Sequence, residues 1–339
     1  MNIFDGMLGG ATGKMRRIAA MSLFATLALG AAPVVAQDGW PDQPITIVVP
    51  FNAGGSADRM ARTLAGPLGE QLGQPVTVEN RPGGSGGLGA TWVAQQPVDG
   101  NTLLLMQATP YLANAILVGG APIVWEDFSF LNAQWDDYAI VAVHQDSAYQ
   151  DFGDLVEGMR QPGEVSSGII YGNGGHLQTI LFMDALEIPR DNVRFVTYDG
   201  GSPLRAALAG NQVDFEVLAA RGAASIMDSL RVLAIVATGD PDGMGAPPLN
   251  DALAELGGDS LPLIGGNVSG LLVHSALRTD HPDRFDAIVA AYEAVVTSEA
   301  YQAAAAEAGV GADWRGPEQS QAMADDAYLA LEALAGAID

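Results

Sequence analysis

Short β-branched segments alternate along this chain with segments of helical spacing, and that alternation limits the folds it can adopt. Residues 45–49 form such a β-branched run, after which apolar residues recur at helical spacing between residues 60 and 72. The same order of strand, loop and helix repeats with strands at 76–78 and 102–106. Alternating elements with short links are typical of α/β domains, and they predict parallel sheets joined by right-handed crossovers.

A second α/β series follows an apolar stretch at residues 139–143. Its predicted strands and helices, in chain order, are 152–159, 167–170, 176–186, 194–197, 203–208, 213–218, 222–230 and 232–237. A further strand at 268–273 is followed by Ala-rich helices between 283 and 334 that have no strands of their own. These helices must pack on elements already built, and the first α/β series is the natural host.

This order of elements predicts two α/β domains, between which the chain crosses twice. We expect domain 1 to comprise residues 37–141 plus 267–339, and domain 2 to comprise residues 142–266. Two crossover strands, near residues 141–144 and 265–270, would then join the domains and act as a hinge.

The N-terminus is typical of an export signal. Lys14, Arg16 and Arg17 precede an uncharged apolar run at residues 18–35, which ends in small residues around Ala36. We therefore predict a signal peptide at residues 1–36 and a periplasmic mature protein. A membrane anchor is the competing interpretation, but the run is rich in Ala and short of the roughly 18 to 20 strongly apolar residues of a span. The general secretory and twin-arginine routes both stay open.

The charge and the cysteine count exclude several classes of protein. The net charge is −25, and it becomes about −27 once the signal peptide takes away three cations and one anion. Nucleic acids and anionic membranes require clustered cations, so neither is expected as a partner. The chain has no cysteine, which excludes disulfides and thiolate metal sites.

Catalytic patterns are weak. Residues 83–87 match G-x-S-x-G around Ser85, and residues 84–89 match G-x-G-x-x-G, but in so glycine-rich a stretch both matches are expected by chance. The four histidines, His144, His176, His274 and His281, lack metal-site spacing. We therefore predict no enzyme activity, no cofactor and no metal site. A periplasmic serine hydrolase using Ser85 or Ser56 is kept as an alternative that requires a histidine beside the serine.

The segment 48–62 has the pattern of an anion receptor. Gly54 and Gly55 allow a tight turn, and Ser56 is predicted to cap the helix that follows. A helix start carries free N–H donors and a partial positive charge, which suit a carboxylate. A plain turn between a strand and a helix is the alternative. We expect Asp58 to bond the backbone of the first helical turn and fix the loop, and direct contact with a ligand amine or ordered water is the other possibility for it.

Residues 40–110 closely resemble the substrate-binding proteins of tripartite tricarboxylate transporters, the Bug-type family. The shared motifs are WPDQPITIVVPF, GGSAD, LGQPVTVENRPGG and VDGNTLL. Later in the chain YGNGGHL at 171–177, TYDGGS at 197–202 and AGNQVD at 209–214 look like the family's second-domain loops. The resemblance implies a two-lobed type II periplasmic binding protein fold, with the ligand held between the lobes.

The family's ligand contacts map by this resemblance onto loops at the ends of predicted strands. Those of the first lobe are Phe51, Asn52, Ala53, Gly54, Gly55, Ser56, Asp58, Gln107, Ala108 and Thr109. Those of the second lobe are Asn173, Gly174, Gly175, His176, Tyr198, Gly200, Gly201 and Ser202. Glu216 is added because it could replace an acidic residue that the family has slightly further on, and Arg221 could face the cleft as a cation or lie on the surface.

The resemblance implies a monomeric solute receptor that delivers a small carboxylate to a membrane permease. Asp199 stands where the family often has Lys, and Ala53 stands where it usually has Pro. An acid at residue 199 disfavours a highly anionic ligand, so we expect a mono- or dicarboxylate and not a tricarboxylate. A ligand-binding sensor that feeds a two-component system is the remaining alternative.

Overall fold

Two five-stranded sheets form the framework of the protein. The computed structural model describes residues 39–264 and 266–335, and the signal peptide predicted at residues 1–36 lies outside them. The strands are β1 (Ile45–Val49), β2 (Val76–Asn80), β3 (Thr102–Thr109), β4 (Phe128–Asp137), β5 (Ala139–His144), β6 (Val165–Ile169), β7 (Val193–Thr197), β8 (Phe215–Ala219), β9 (Leu230–Val236) and β10 (Asn267–His274).

Eleven α-helices of the described residues surround these sheets. They are α1 (Ser56–Leu72), α2 (Gly87–Ala94), α3 (Tyr111–Leu117), α4 (Phe152–Met159), α5 (Gly174–Ala185), α6 (Gly201–Ala209), α7 (Leu249–Glu255), α8 (Leu277–Asp280), α9 (Pro282–Val296), α10 (Glu299–Ala308) and α11 (Gly316–Ala335). A 3-10 helix at Arg221–Ser229 stands where an α-helix was predicted over 222–230. None of the helices within 39–264 and 266–335 is long and apolar enough to cross a membrane.

Each sheet belongs to one lobe. The first sheet has the strand order β2-β1-β3-β10-β4, and the second has the order β7-β6-β8-β5-β9. The predicted parallel pairing is confirmed for β1 with β2 and β3, and for β6 with β7 and β8. Each sheet is nevertheless mixed, because β10 runs antiparallel to both of its neighbours and so does β5. Both strands enter their sheet from the other lobe and not through a crossover helix packed on that sheet, so they are free to run in the opposite direction.

The strand β4 was not predicted. It is almost fully buried, yet it carries Asn132 and Gln134 among its apolar residues, which hides the apolar run that would mark a buried strand. The amide of Asn132 donates to the carbonyl of Asp313, and that of Gln134 donates to the hydroxyl of Tyr301 and receives a hydrogen bond from Tyr292. The buried amides are therefore satisfied by residues far along the chain, which no local pattern reveals.

The C-terminal helices pack on the first lobe. α9 and α10 lie against α1, and α11 lies along β4. Tyr292 of α9 and Leu64 of α1 belong to one buried apolar cluster on this side of the sheet. The residues after β10 therefore complete the lobe that the first residues begin.

The chain passes from the first sheet to the second at one residue. β4 ends at Asp137 and β5 begins at Ala139, so Tyr138 alone separates strands of different sheets. The return runs from β9 through α7 to β10. The division into domain 1 (37–141 plus 267–339) and domain 2 (142–266) stays a prediction, and the sheets support a first boundary near Tyr138.

Candidate ligand-binding site

Two adjoining cavities lie between the lobes, and we call them together the interlobe cleft. Both are lined by Ser56, Gln107, Tyr111, Gly201 and Arg205. The first also contacts the loops that follow β1, β2 and β7, and it encloses about 600 Å³ including solvent at its mouth. The second reaches the start of α5 and the end of β8. The cleft thus lies at the carboxyl ends of parallel strands, where α/β folds bind small molecules.

The structure brings about half of the predicted ligand contacts to this cleft. Those that line it are Phe51, Asn52, Gly55, Ser56, Gln107, Asn173, Gly175, Gly200, Gly201 and Ser202. Those that do not line it are Ala53, Gly54, Asp58, Ala108, Thr109, Gly174, His176, Tyr198 and Glu216. Thr109 and Gly174 instead line a separate cavity beside Asp137 and α11.

Three helices begin at the cleft, namely α1, α5 and α6. Gly55 and Gly200 are the N-caps of α1 and α6, and among the described residues no side chain caps either helix. The prediction that Ser56 caps α1 is wrong, because Ser56 is the first helical residue and its side chain lines the cleft. Uncapped first turns leave N–H donors available to an anion.

Asp58 fixes the loop that precedes α1. Its carboxylate accepts hydrogen bonds from the backbone N–H of Gly54 at 2.8 Å, from Asn80 Nδ2 at 2.9 Å and from Arg62 Nε at 3.0 Å. Burial raises the pKa of Asp58, but the hydrogen bonds from Arg62, Gly54 and Asn80 outweigh it, so the pKa lies below its usual value. Asp58 is therefore ionised and fully engaged away from the cleft.

His176 is a structural residue of the α5 start. Its Nδ1 accepts the backbone N–H of Gly172 at 3.0 Å, and its ring packs between those of Tyr171 and Phe195. Burial, with a smaller contribution from Arg190, lowers the pKa of His176 to about 4, so the ring is neutral at ordinary pH. It holds the glycine loop at 171–175 in place without lining the cleft.

Arg205 was not predicted, yet it lines both cavities. Its Nη2 donates to Ser202 Oγ at 3.3 Å, and no carboxylate of the described residues lies within ion-pair distance of it. Burial lowers the pKa of Arg205, because the cleft desolvates its charge. Helical side chains lean towards the helix N-terminus, so an arginine one turn after Gly201 was the available sequence signal.

Arg221, the other cleft cation that we considered, is already paired. Its guanidinium contacts Asp242 at 3.1 Å and donates to the carbonyl of Asp136 at 3.2 Å. It also lies over the ring of Tyr138. Arg221 thus belongs to the lobe junction and not to the cleft.

Glu216 lies directly behind the cleft. It is fully buried, and neither of its carboxyl oxygens has a hydrogen-bond partner among the described residues. Burial raises the pKa of Glu216 to about 9, although the charge of Arg205 acts in the opposite direction. A buried carboxyl group with a raised pKa thus interacts electrostatically with the guanidinium of Arg205 in this part of the second lobe.

The serine hydrolase alternative requires a histidine base beside Ser56 or Ser85. Ser56 and Ser85 both line the first cavity, but none of the described residues that line the cleft is a histidine. Nucleophilic serine chemistry needs a base within hydrogen-bond reach of the hydroxyl. The geometry therefore favours binding.

Comparisons with known proteins identify the family of this chain. The family model of the tripartite tricarboxylate transporter family receptor, TctC, matches residues 60–261. Protein BugT of Bordetella pertussis is 34% identical over 248 residues, which cover 71% of this chain and 74% of BugT. The structure of the periplasmic binding protein BugD aligns over 88% of this chain and 98% of the BugD chain, with a TM-score of 0.71 and 23% identity. The structure of MatC from Rhodopseudomonas palustris with bound malate aligns over 87% of this chain and 100% of the MatC chain, with a TM-score of 0.70 and 21% identity.

The two structural similarities show a two-lobed binding-protein fold, in agreement with the sequence resemblance. The chain belongs to the tripartite tricarboxylate transporter receptor family. This is a family of periplasmic solute-binding receptors and not of enzymes.

Proposed function

We propose that this protein captures a small carboxylate in the interlobe cleft and delivers it to a membrane permease of the tripartite type. The observation that carries the proposal is the unpaired guanidinium of Arg205, which lies beside the uncapped starts of α1 and α6. A guanidinium and free backbone N–H groups are complementary to a carboxylate in both charge and geometry. The bound malate of MatC supports a ligand of this class.

The charges of the cleft favour a mono- or dicarboxylate. Arg205 is the single cation among the described lining residues, and Asp199 is the single anion, at the wall of the first cavity. Each carboxylate that is desolvated without a partner is costly, so three of them would exceed what this cleft can compensate. Ser56, Gln107 and Asn173 supply neutral polar groups for the rest of the ligand.

Transport requires the two lobes to close on the ligand in the periplasm. The loops that hold the ligand come from both sheets, and Tyr138 is the short link between them. Closure would then bring α6 and Arg205 towards α1, in the manner of hinge-bending receptors. The permease would recognise the closed form.

A thermal-shift panel on refolded, ligand-stripped protein tests the carboxylate function. Acetate, malate, adipate, citrate, amino acids and aromatic acids form the panel, and a ligand at 100 times its Kd adds about 2.7 kcal/mol to the unfolding free energy. We expect shifts with mono- or dicarboxylates and recovery of the compound unchanged. Consumption of a compound, or no response to any carboxylate, would refute the proposal.

Two pairs of variants place the ligand. Gly55→Asp fits sterically, because a Cβ there comes no closer than 3.5 Å to its surroundings, but it puts a carboxylate in the cleft and should abolish the thermal shift. Gly66→Asp adds the same charge to an open position of α1 and should bind normally. Arg205→Gln should weaken binding about 10- to 100-fold, whereas Arg194→Gln, on the exposed surface of β7, should not.

A further inference from the structure

Glu216 is buried in a space that the second sheet keeps open for it. Its neighbours across the sheet are Gly168 on β6 and Ala142 on β5. A Cβ on Gly168 would lie 2.6 Å from Glu216 Oε1 and 3.0 Å from Leu204 of α6. The missing side chain of Gly168 therefore makes room for the carboxyl group beneath α6, the helix that carries Arg205.

Arg205 is the charged group that acts on Glu216. β5 and β6 present Ala142 and Gly168 to it, which carry no charge, and α6 contributes the guanidinium. The two groups interact electrostatically but form no ion pair, and both carboxyl oxygens stay without a partner. On its other side Arg205 faces the cleft beside Tyr111, and the charges of Arg59 and Asp137, which do not line the cleft, also act on it.

Resting on the proposed carboxylate function, we propose that the ligand and Glu216 share the guanidinium of Arg205, so that a carboxylate binds to the form of the protein in which Glu216 is un-ionised. Glu216 is in this view a positioning residue that leaves the cation available to the ligand. When it loses its proton, its carboxylate attracts Arg205 and competes with the carboxylate in the cleft.

The coupling is reciprocal. If Arg205 favours ionised Glu216, an anion that occupies Arg205 must raise the pKa of Glu216, and binding then takes up a proton at alkaline pH. A shift of about one pKa unit corresponds to about a tenfold loss of affinity once Glu216 is fully ionised. Gln at residue 216 removes this dependence, because the amide does not titrate.

Infrared spectroscopy tests the pair without any ligand. The difference spectrum between wild type and Glu216→Gln should show the carbonyl stretch of an un-ionised carboxylic acid at neutral pH, lost with a midpoint near pH 9. Arg205→Gln should raise that midpoint by about one unit, and Arg205→Lys, which keeps the charge, should leave it near the wild-type value. An ionised Glu216 at neutral pH, or a midpoint indifferent to Arg205→Gln, would overturn the proposal.

Affinity measurements test the sharing. Titrations with acetate, malate and adipate should show about a fivefold loss of affinity in wild type between pH 7 and pH 10, since pH 10 lies about one unit above the pKa of free Glu216 and near the raised pKa of the complex. Glu216→Gln should show no such loss. Equal losses of affinity in wild type and Glu216→Gln would refute the proposal that the ligand and Glu216 share Arg205. If none of the three probes binds at pH 7, the carboxylate function and the sharing fall together, while the midpoint of Arg205→Gln still reports whether the pair is coupled.

Discussion

Replacing Glu216 with glutamine measures what the buried acid does to the stability of the folded protein. Glu216 has a pKa of about 9 in the folded chain, against 4.5 for an unperturbed Glu. The folded state therefore holds this proton more tightly than the unfolded state. Its contribution to stability is fully present below pH 4.5 and is lost as the pH rises towards 9.

The size of the effect follows from the shift. Each unit of pH within that window costs about 1.4 kcal/mol, so wild type should lose about 4 kcal/mol from this residue between pH 5 and pH 8. Glu216→Gln keeps the shape of the side chain and does not titrate, so it should lose none of it. The variant should consequently be close to wild type at pH 5 and more stable than wild type at pH 8.

Urea unfolding at the two pH values provides the assay, since the midpoint and slope give the unfolding free energy at each. Glu255→Gln, at an exposed position at the end of α7, is the matched control and should follow wild type. If Glu216→Gln showed the same change between pH 5 and pH 8 as wild type, Glu216 would not be un-ionised in the folded protein and the reasoning would fail.

Three further substitutions test other parts of the structure. Gly175→Ala should destabilise the protein by about 1–3 kcal/mol in urea unfolding and weaken carboxylate binding, because the added Cβ would run into the carbonyl oxygen of Val217. Asp199→Lys should tighten binding of malate more than of acetate at low salt, and high salt should reduce the difference, since a cation replaces the anion of the first cavity. Asp58→Asn should cost about 1–3 kcal/mol at pH 7, and the difference from wild type should shrink as the pH falls through the lowered pKa of Asp58, where wild type itself becomes protonated.

Local patterns located much of the framework because a strand or helix with one buried face shows the spacing of its apolar residues within a few positions. Strand β1 and helix α4 have the predicted bounds, 45–49 and 152–159. Strand β4 was not predicted because its buried amides form hydrogen bonds with residues between 292 and 313, far outside the window in which a local pattern is visible. The antiparallel course of β5 and β10 depends on how the chain crosses between lobes, which strand and helix periodicity does not record.

The sequence likewise predicted only part of the candidate site. Motif resemblance and the rule that ligands lie at strand ends located the loops after β1 and β7, of which residues 51, 52, 55, 56 and 200–202 line the cleft. The expected loop-fixing role of Asp58 agrees with its hydrogen bond from Gly54, but nothing in the sequence showed that His176 holds its loop without facing the cleft. Arg205 was missed because a helical arginine looks like a surface residue until the packing shows that its guanidinium enters the cleft.

The position of β10 between β3 and β4 has a consequence for the order in which the chain folds. All strands of the second sheet lie within residues 139–236, so that sheet can be completed without β10. In the first sheet the edge of β3 stays unpaired until β10, more than 150 residues later in the chain, pairs with it, and such long-range pairing is slow. We expect pulse-labelled hydrogen exchange during refolding to protect β6 and β8 before β3 and β4. The unpaired edge of β3 is then the surface most exposed to aggregation until β10 pairs with it.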